Sequence, residues 1–224
     1  MKKNGIHIMA WAVYALLAGC TGGQGFGTGE YTVNGLLPDS ASDGKTIYIT
    51  NYDNRRYVDT AVVEGNRFVF EGMADTAMLC RIHVSRGRYM DFILEKGDIV
   101  LDFSDKMNPK GTDLNEELAR INALEKALEK DFHTGMRRAL REKTPIKDFK
   151  DEYRQRMKEE GQKLFRQHSN DAIGYMLLYS SFINMFDNEE RLEVLEGFGP
   201  WLKSTARVQD MLKVLEKSRV EENK

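Results

Sequence analysis

The side chains able to act chemically on a substrate are few in this sequence, and they are scattered. Of the two cysteines, Cys80 lies in the run Ala77-Met78-Leu79-Cys80-Arg81-Ile82. A thiol in such an apolar stretch is expected to be a small buried side chain. The functional alternative is a thiol that forms a mixed disulfide, with Arg81 lowering its pKa if it is exposed. Cys20 and Cys80 are too far apart for the C-x-x-C of a redox site or a zinc knuckle. After residue 19 the histidines are His83, His133 and His168. None stands in an H-E-x-x-H frame, so no metal site is expected. Asp91 and Glu95 can be read as paired carboxylates, but in a strand with a turn they are expected to face solvent. No G-x-S-x-G elbow offers a serine nucleophile. The glycines of residues 21–29 follow no strand and open no helix, so they form no phosphate loop. Glu159-Glu160, Glu189-Glu190 and Glu221-Glu222 read as solvated helix faces. Trp201, beside Pro200, is expected to plug a core between helices. No catalytic, cofactor-binding or metal-ligating set is expected.

The sharpest chemistry is at the N-terminus. Lys2 and Lys3 precede an apolar run over residues 6–18, too short for a membrane-spanning helix and with the polarity of a secretory signal. It ends in Leu17-Ala18-Gly19-Cys20, which looks like a bacterial lipobox. That likeness implies removal of residues 1–19 and a diacylglycerol thioether on Cys20. A further acyl chain on the freed amine would make the attachment stable. Residues 20–29 are then a Gly-rich tether between anchor and body. There is no Asp directly after Cys20 and no acidic cluster beyond it. The expected location is therefore the cell envelope, on the outer membrane facing the periplasm.

The elements that must position the rest fall into two halves. The chain has 224 residues, 41% hydrophobic and 30% charged, an ordinary globular composition. Its net charge of −2, with both signs interspersed, gives no reason to expect a nucleic-acid partner. Over residues 30–111 the pattern is that of short strands: 31–37, 45–50, 56–63, 67–70, 77–84, 89–94 and 99–103. In the second of these Ile47 and Ile49 take one face and Tyr48 the other. Glu64-Gly65-Asn66, Arg86-Gly87-Arg88 and Lys96-Gly97-Asp98 read as turns. An antiparallel β-sandwich or small barrel is expected. Over residues 112–224 the periodicity is helical. Thr112 or Asp113 is placed to cap a helix whose inner face is Leu114, Leu118, Ile121, Leu124 and Leu128. A second helix follows Pro145, with Ile146, Phe149, Tyr153, Met157, Leu164 and Phe165 inward. Residues 172–186, apolar nearly all round, predict one buried central helix. Residues 188–198 and 205–220 predict two more, split by Gly199-Pro200. The fold class is α+β, a sandwich or small barrel followed by a helical region.

Tyr31-Thr32-Val33-Asn34-Gly35, Ile47-Tyr48-Ile49, Val58-Asp59-Thr60, Asn66-Arg67-Phe68-Val69-Phe70-Glu71-Gly72, Phe92-Ile93-Leu94-Glu95-Lys96-Gly97-Asp98 and Gly111-Thr112-Asp113-Leu114-Asn115 together resemble the domain-of-unknown-function family 4369. The resemblance covers roughly residues 30–115. Its members sit at the N-terminus of lipoproteins that usually continue into a thioredoxin-like, AhpC/TSA-type domain, and the following helices match the usual connector. The sequence stops at Lys224, about where that domain would begin, and holds no C-x-x-C. The resemblance thus implies a noncatalytic interaction module anchored to a membrane through Cys20, with a thioredoxin-like protein supplied in trans as a candidate partner. The competing expectations are thiol–disulfide exchange through Cys80, or a sandwich that binds peptide or glycan.

Overall fold

The computed structural model describes residues 28–104 and 108–222. The expected signal segment, Cys20 and the tether up to residue 27 lie outside the described residues. Among the described residues eight strands form two four-stranded sheets. The first contains, in order, β4 (Arg67–Ala74), β1 (Gly29–Leu36), β7 (Gly97–Asp102) and the short β8 (Pro109–Lys110). The second contains β3 (Tyr57–Val62), β2 (Thr46–Asn51), β5 (Met78–Ser85) and β6 (Arg88–Leu94). The fold is thus the expected α+β arrangement, with one difference in pairing. β1 and β7 run parallel, while every other pair is antiparallel. Sequence alternation gives a strand's inner face but not its direction relative to a distant neighbour.

Alternation decides what the sheets bury between them. Tyr31 and Val33 from β1, Phe68 and Phe70 from β4, and Ile99 and Leu101 from β7 face Ile47, Ile49, Cys80, Ile82 and Phe92 of the other sheet. Gly35 is required in this layer, since a Cβ there would lie 1.8 Å from the Phe68 ring. The connection from β3 to β4, which passes from one sheet to the other, turns at Gly65, whose φ of 67° lies in the left-handed region that glycine adopts without strain.

Helices α1 (Asp113–Glu142), α2 (Ile146–Gln167), α3 (Ala172–Leu177), α4 (Asn188–Glu196), α5 (Pro200–Ser204) and α6 (Ala206–Glu222) complete the described chain. Their apolar faces form a second core, which also takes in Ala77, Leu79 and Ile93 from the outer side of the second sheet. Strand β6 carries the signal for this. Phe92, Ile93 and Leu94 are all buried, the continuous apolar run of a strand covered on both faces.

The expected single helix over residues 172–186 is not formed. α3 ends at Leu177, and a 3-10 turn, Ile183–Met185, follows. The Ser180 hydroxyl donates to the Leu177 carbonyl at 2.7 Å and accepts from the Phe182 N–H at 3.3 Å. A serine that bonds locally in this way competes with continued helix. Around it, Glu125 of α1 accepts the Ser181 N–H. Most of the segment is buried, as its composition led one to expect, although Tyr179, Ser181 and Asn184 are exposed, and the break depended on these polar contacts. α5 also lies within the expected Gly199-Pro200 break, with Pro200 at the first helical position.

Candidate functional site

Three polar groups fasten the helices to the sheet. Asn115 of α1 is fully buried; its Oδ1 accepts from Ile93 N–H at 2.9 Å and its Nδ2 donates to Ile93 O at 2.7 Å. This pairs the outer edge of β6 with a side chain in place of a further strand. Glu95 is buried, not solvent-facing as expected, and accepts the Leu114 N–H at 3.1 Å at the start of α1. The helix N-terminus is what makes a carboxylate tolerable there. Burial still pushes its carboxyl above the ordinary range, with Thr112 and Leu114 pulling it back. Asp53, in the β2–β3 turn, accepts the Tyr175 hydroxyl at 3.0 Å and the backbone N–H groups of Ala206 and Arg207 at the start of α6.

These fastenings cover one end of the second sheet's outer face and leave the other end open. The register aligns Thr60, Tyr48, His83 and Tyr89 across the four strands. The next row is Tyr57, Thr50, Arg81 and Asp91, with a bulge between Ile49 and Thr50. Tyr48 and Tyr57 stack with ring centroids 4.6 Å apart. His83 lies 5.7 Å from Tyr89. Tyr57 is 70% exposed and Tyr89 40%. Large aromatic rings held at such exposure give this end of the sheet an open aromatic surface.

A charged bridge backs this surface where it meets the helices. Arg81 Nε and Nη2 donate to Asp91 Oδ1 at 2.5 Å and Oδ2 at 2.7 Å. The guanidinium lies 4.0 Å from the Tyr89 ring centroid and 4.9 Å from that of Tyr52. It also donates to the Tyr52 hydroxyl, which in turn donates to Asp91 Oδ2 at 3.2 Å. Burial and Asp91 push the Tyr52 phenol up to about 12, so it stays protonated as a donor. Tyr179 from the helical side meets Tyr52 edge-on at 5.0 Å. The bidentate geometry immobilises Arg81 as a flat, stacked donor.

The other sequence-nominated residues are placed apart. Cys80 points into the sandwich core with no exposure, and burial pushes its thiol far above the usual range. His133 is exposed on α1, 3.6 Å from Glu129. His168 is buried at the end of α2, with Nδ1 2.9 Å from Asp171 and Nε2 3.1 Å from Glu117. Although burial works against the charge, the two carboxylates raise its pKa. Trp201 is half-buried against the helical core and borders a small cavity at the seam, with Asp53, Leu79 and Tyr175. A larger hollow of about 430 Å³ lies between α2 and α4. Of its charged lining, Glu190 pairs with Lys158 at 2.6 Å and Arg166 Nε donates to the Gln162 carbonyl. Cys20 lies outside the described residues. Among the described residues no group of His, Cys, Asp and Glu is arranged to hold a metal ion. The tyrosines of the open face were missed from the sequence, although Tyr48 was assigned to the face opposite Ile47 and Ile49. Aromatic residues in the outward phase of an alternating strand were the available signal.

The fold and this face define a class: a two-sheet sandwich with a helical layer on one sheet and an aromatic surface on what remains uncovered. Residues 31–118 match the model of the domain of unknown function DUF4369. The matched stretch runs past Asn115 to Leu118, so it includes the first turns of α1 that clamp β6. No curated protein and no solved structure matches the chain.

Proposed function

We propose that this protein is a noncatalytic binding module of the bacterial cell envelope. It is held by lipid on Cys20 to the outer membrane on the periplasmic side, and it presents the open tyrosine face to an extended polymer, a glycan strand or a peptide. The observation that carries this is the row Tyr48, His83 and Tyr89 with Tyr57 beside it, exposed and braced by the Arg81–Asp91 pair. Stacked rings offer flat apolar contact to a sugar face or a peptide side chain, and Arg81 and His83 supply polar contacts at the same level. A thioredoxin-like protein supplied in trans fits the same surface role. The burial of Cys80 speaks against exchange chemistry of its own, because attack requires an accessible thiolate.

The test is chemical-shift mapping of the unlipidated body with soluble peptidoglycan fragments and, separately, with extended peptides. Shifts confined to Tyr48, Tyr57, His83 and Tyr89, and lost in a Tyr57→Ala/Tyr89→Ala variant that still melts normally, support the reading. Shifts centred on the α2–α4 hollow overturn it. So does reduction of insulin that disappears in Cys80→Ser. For the anchor, radiolabelled palmitate should mark the wild type and not Cys20→Ala.

A further inference from the structure

We infer that the turn joining α1 to α2 is a second membrane-contact site, which docks on bilayers containing anionic phospholipid. The near-neutral charge of the whole chain conceals a local concentration. Between residues 135 and 150 stand Arg137, Arg138, Arg141, Lys143, Lys147 and Lys150, against Glu142 and Asp148 alone. With 33 basic and 35 acidic residues in the chain, everything outside this tip is clearly acidic. All six cations are exposed. Among the described residues none of the six is in an ion pair, whereas Arg156, Lys158 and Lys163 further along α2 all are.

Helix stability does not account for the arrangement. The partial negative charge at the end of α1 favours Arg141 and its neighbours. The partial positive charge at the start of α2 disfavours Lys147 and Lys150, which fall in its first turn or just beyond. Cations placed against a helix dipole, unpaired and at the apex of a hairpin, point to an anion outside the molecule. The apex also carries Leu140, 61% exposed, with Pro145 exposed and Ile146 half-buried beside it. A ring of long cations around a protruding apolar side chain suits the headgroup–acyl boundary, where the stems of Lys and Arg lie along apolar surface and their charges reach phosphate. A duplex would use the cations but has no place for Leu140.

The position of the tip gives the contact a use. Gly29, where β1 begins, lies beside Lys96, and Gly97 lies beside Thr112 at the start of α1. The tip is at the opposite end of a 30-residue helix, about 45 Å away. An attachment near residue 28 and a contact at the tip would hold the body at two separated points and fix its orientation to the bilayer.

Both apolar cores are complete between residues 31 and 215, so a chain beginning at Thr21, without lipid, retains the fold and isolates the tip's contribution. It should float with vesicles of phosphatidylcholine mixed with phosphatidylglycerol, not with phosphatidylcholine alone, and should be released by salt. Replacing Arg137, Arg138 and Arg141 with Gln should weaken binding about 100-fold, at roughly fivefold per cation. Leu140→Ser should weaken it by about tenfold without weakening retention on heparin. The thermal melting of each variant should fall by no more than a few degrees, because the substituted side chains are exposed and lose only their interaction with the end of α1. Equal binding to both vesicle types, an unaffected triple variant, or binding to duplex DNA or heparin without vesicle binding would each overturn the assignment. None of these outcomes bears on the tyrosine face.

Discussion

The outer face of the second sheet has two ends built on the same strands. At one end Leu79 of β5 is paired in register with Ile93 of β6, and both disappear under α1 and α3. Two residues further along each strand, Arg81 faces Asp91, and two further again His83 faces Tyr89 in the open. The period of two carries one face from apolar through charged to aromatic within a few residues. The covered end has a partner inside the molecule, and its residues are chosen for burial. At the open end Tyr48 stacks on Tyr57 and Tyr89 lies against Arg81, and the rings keep 37%, 70% and 40% of their surface exposed for Tyr48, Tyr57 and Tyr89. Arg81 and Asp91 mark the border, where Tyr52 and Tyr179 bring the helical layer to the edge of the tyrosines.

The comparison breaks most directly by truncating one residue at each end. Leu79→Ala should destabilise the protein by about 2–5 kcal/mol through lost burial and an unfilled cavity. Tyr57→Ala should change stability by no more than about 0.5 kcal/mol while abolishing ligand shifts on the open face. Urea melts of the two variants check this, and equal destabilisation would mean the two ends do not differ in kind. Next in size is Asn115→Ala, which strips β6 of its side-chain partner. Each Ile93 backbone group left unpaired should cost about 1–3 kcal/mol, and hydrogen exchange at Ile93 should accelerate while that at Tyr48 stays the same.

The covering layer can be loosened by pH without touching the open face. His168 joins Glu117 of α1 and Asp171, which caps α3, to the end of α2. Burial opposes its charge, but the hydrogen bonds and charges of Asp171 and Glu117 prevail and raise its pKa. Glu117 is lowered, chiefly by Arg120 and then by His168. A raised folded-state pKa means the stabilisation is fully present below the unfolded value of about 6.5 and is lost as pH climbs through the folded value above it. Melting temperature should therefore fall across the alkaline side of that window, by roughly 2–4 °C for each kcal/mol involved. The slope should flatten in His168→Gln, and a slope unchanged in that variant would remove His168 as its source. The smallest expected effect is at the border. A double-mutant cycle on Arg81 and Asp91 should give a coupling of about 1 kcal/mol or less, because both side chains are partly exposed. A coupling several times larger would shift the pair from positioning the open face to holding the fold.

Local pattern was enough for much of the architecture. Alternation at Ile47-Tyr48-Ile49 and at Phe68-Val69-Phe70, the glycine turns and the spacing of Leu118, Ile121 and Leu128 are properties of neighbouring residues, and each appears in the folded chain as expected. The burial of Cys80 was legible for the same reason, since Met78, Leu79 and Ile82 make its run apolar apart from Arg81. The parallel pairing of β1 with β7, the break after Leu177 and the burial of Glu95 depended on groups distant in sequence: a strand some 65 residues on, a carboxylate on α1 and a helix N-terminus across the seam. The tyrosine face belongs with these. Tyr48 could be assigned to the outward side of its strand from the sequence by itself. Its union with Tyr57, His83 and Tyr89 required the register of four strands, and its exposure required that the helices stop at Leu79 and Ile93. Side-chain phase is set by adjacent residues, whereas register and coverage are set by whatever the chain brings back from afar.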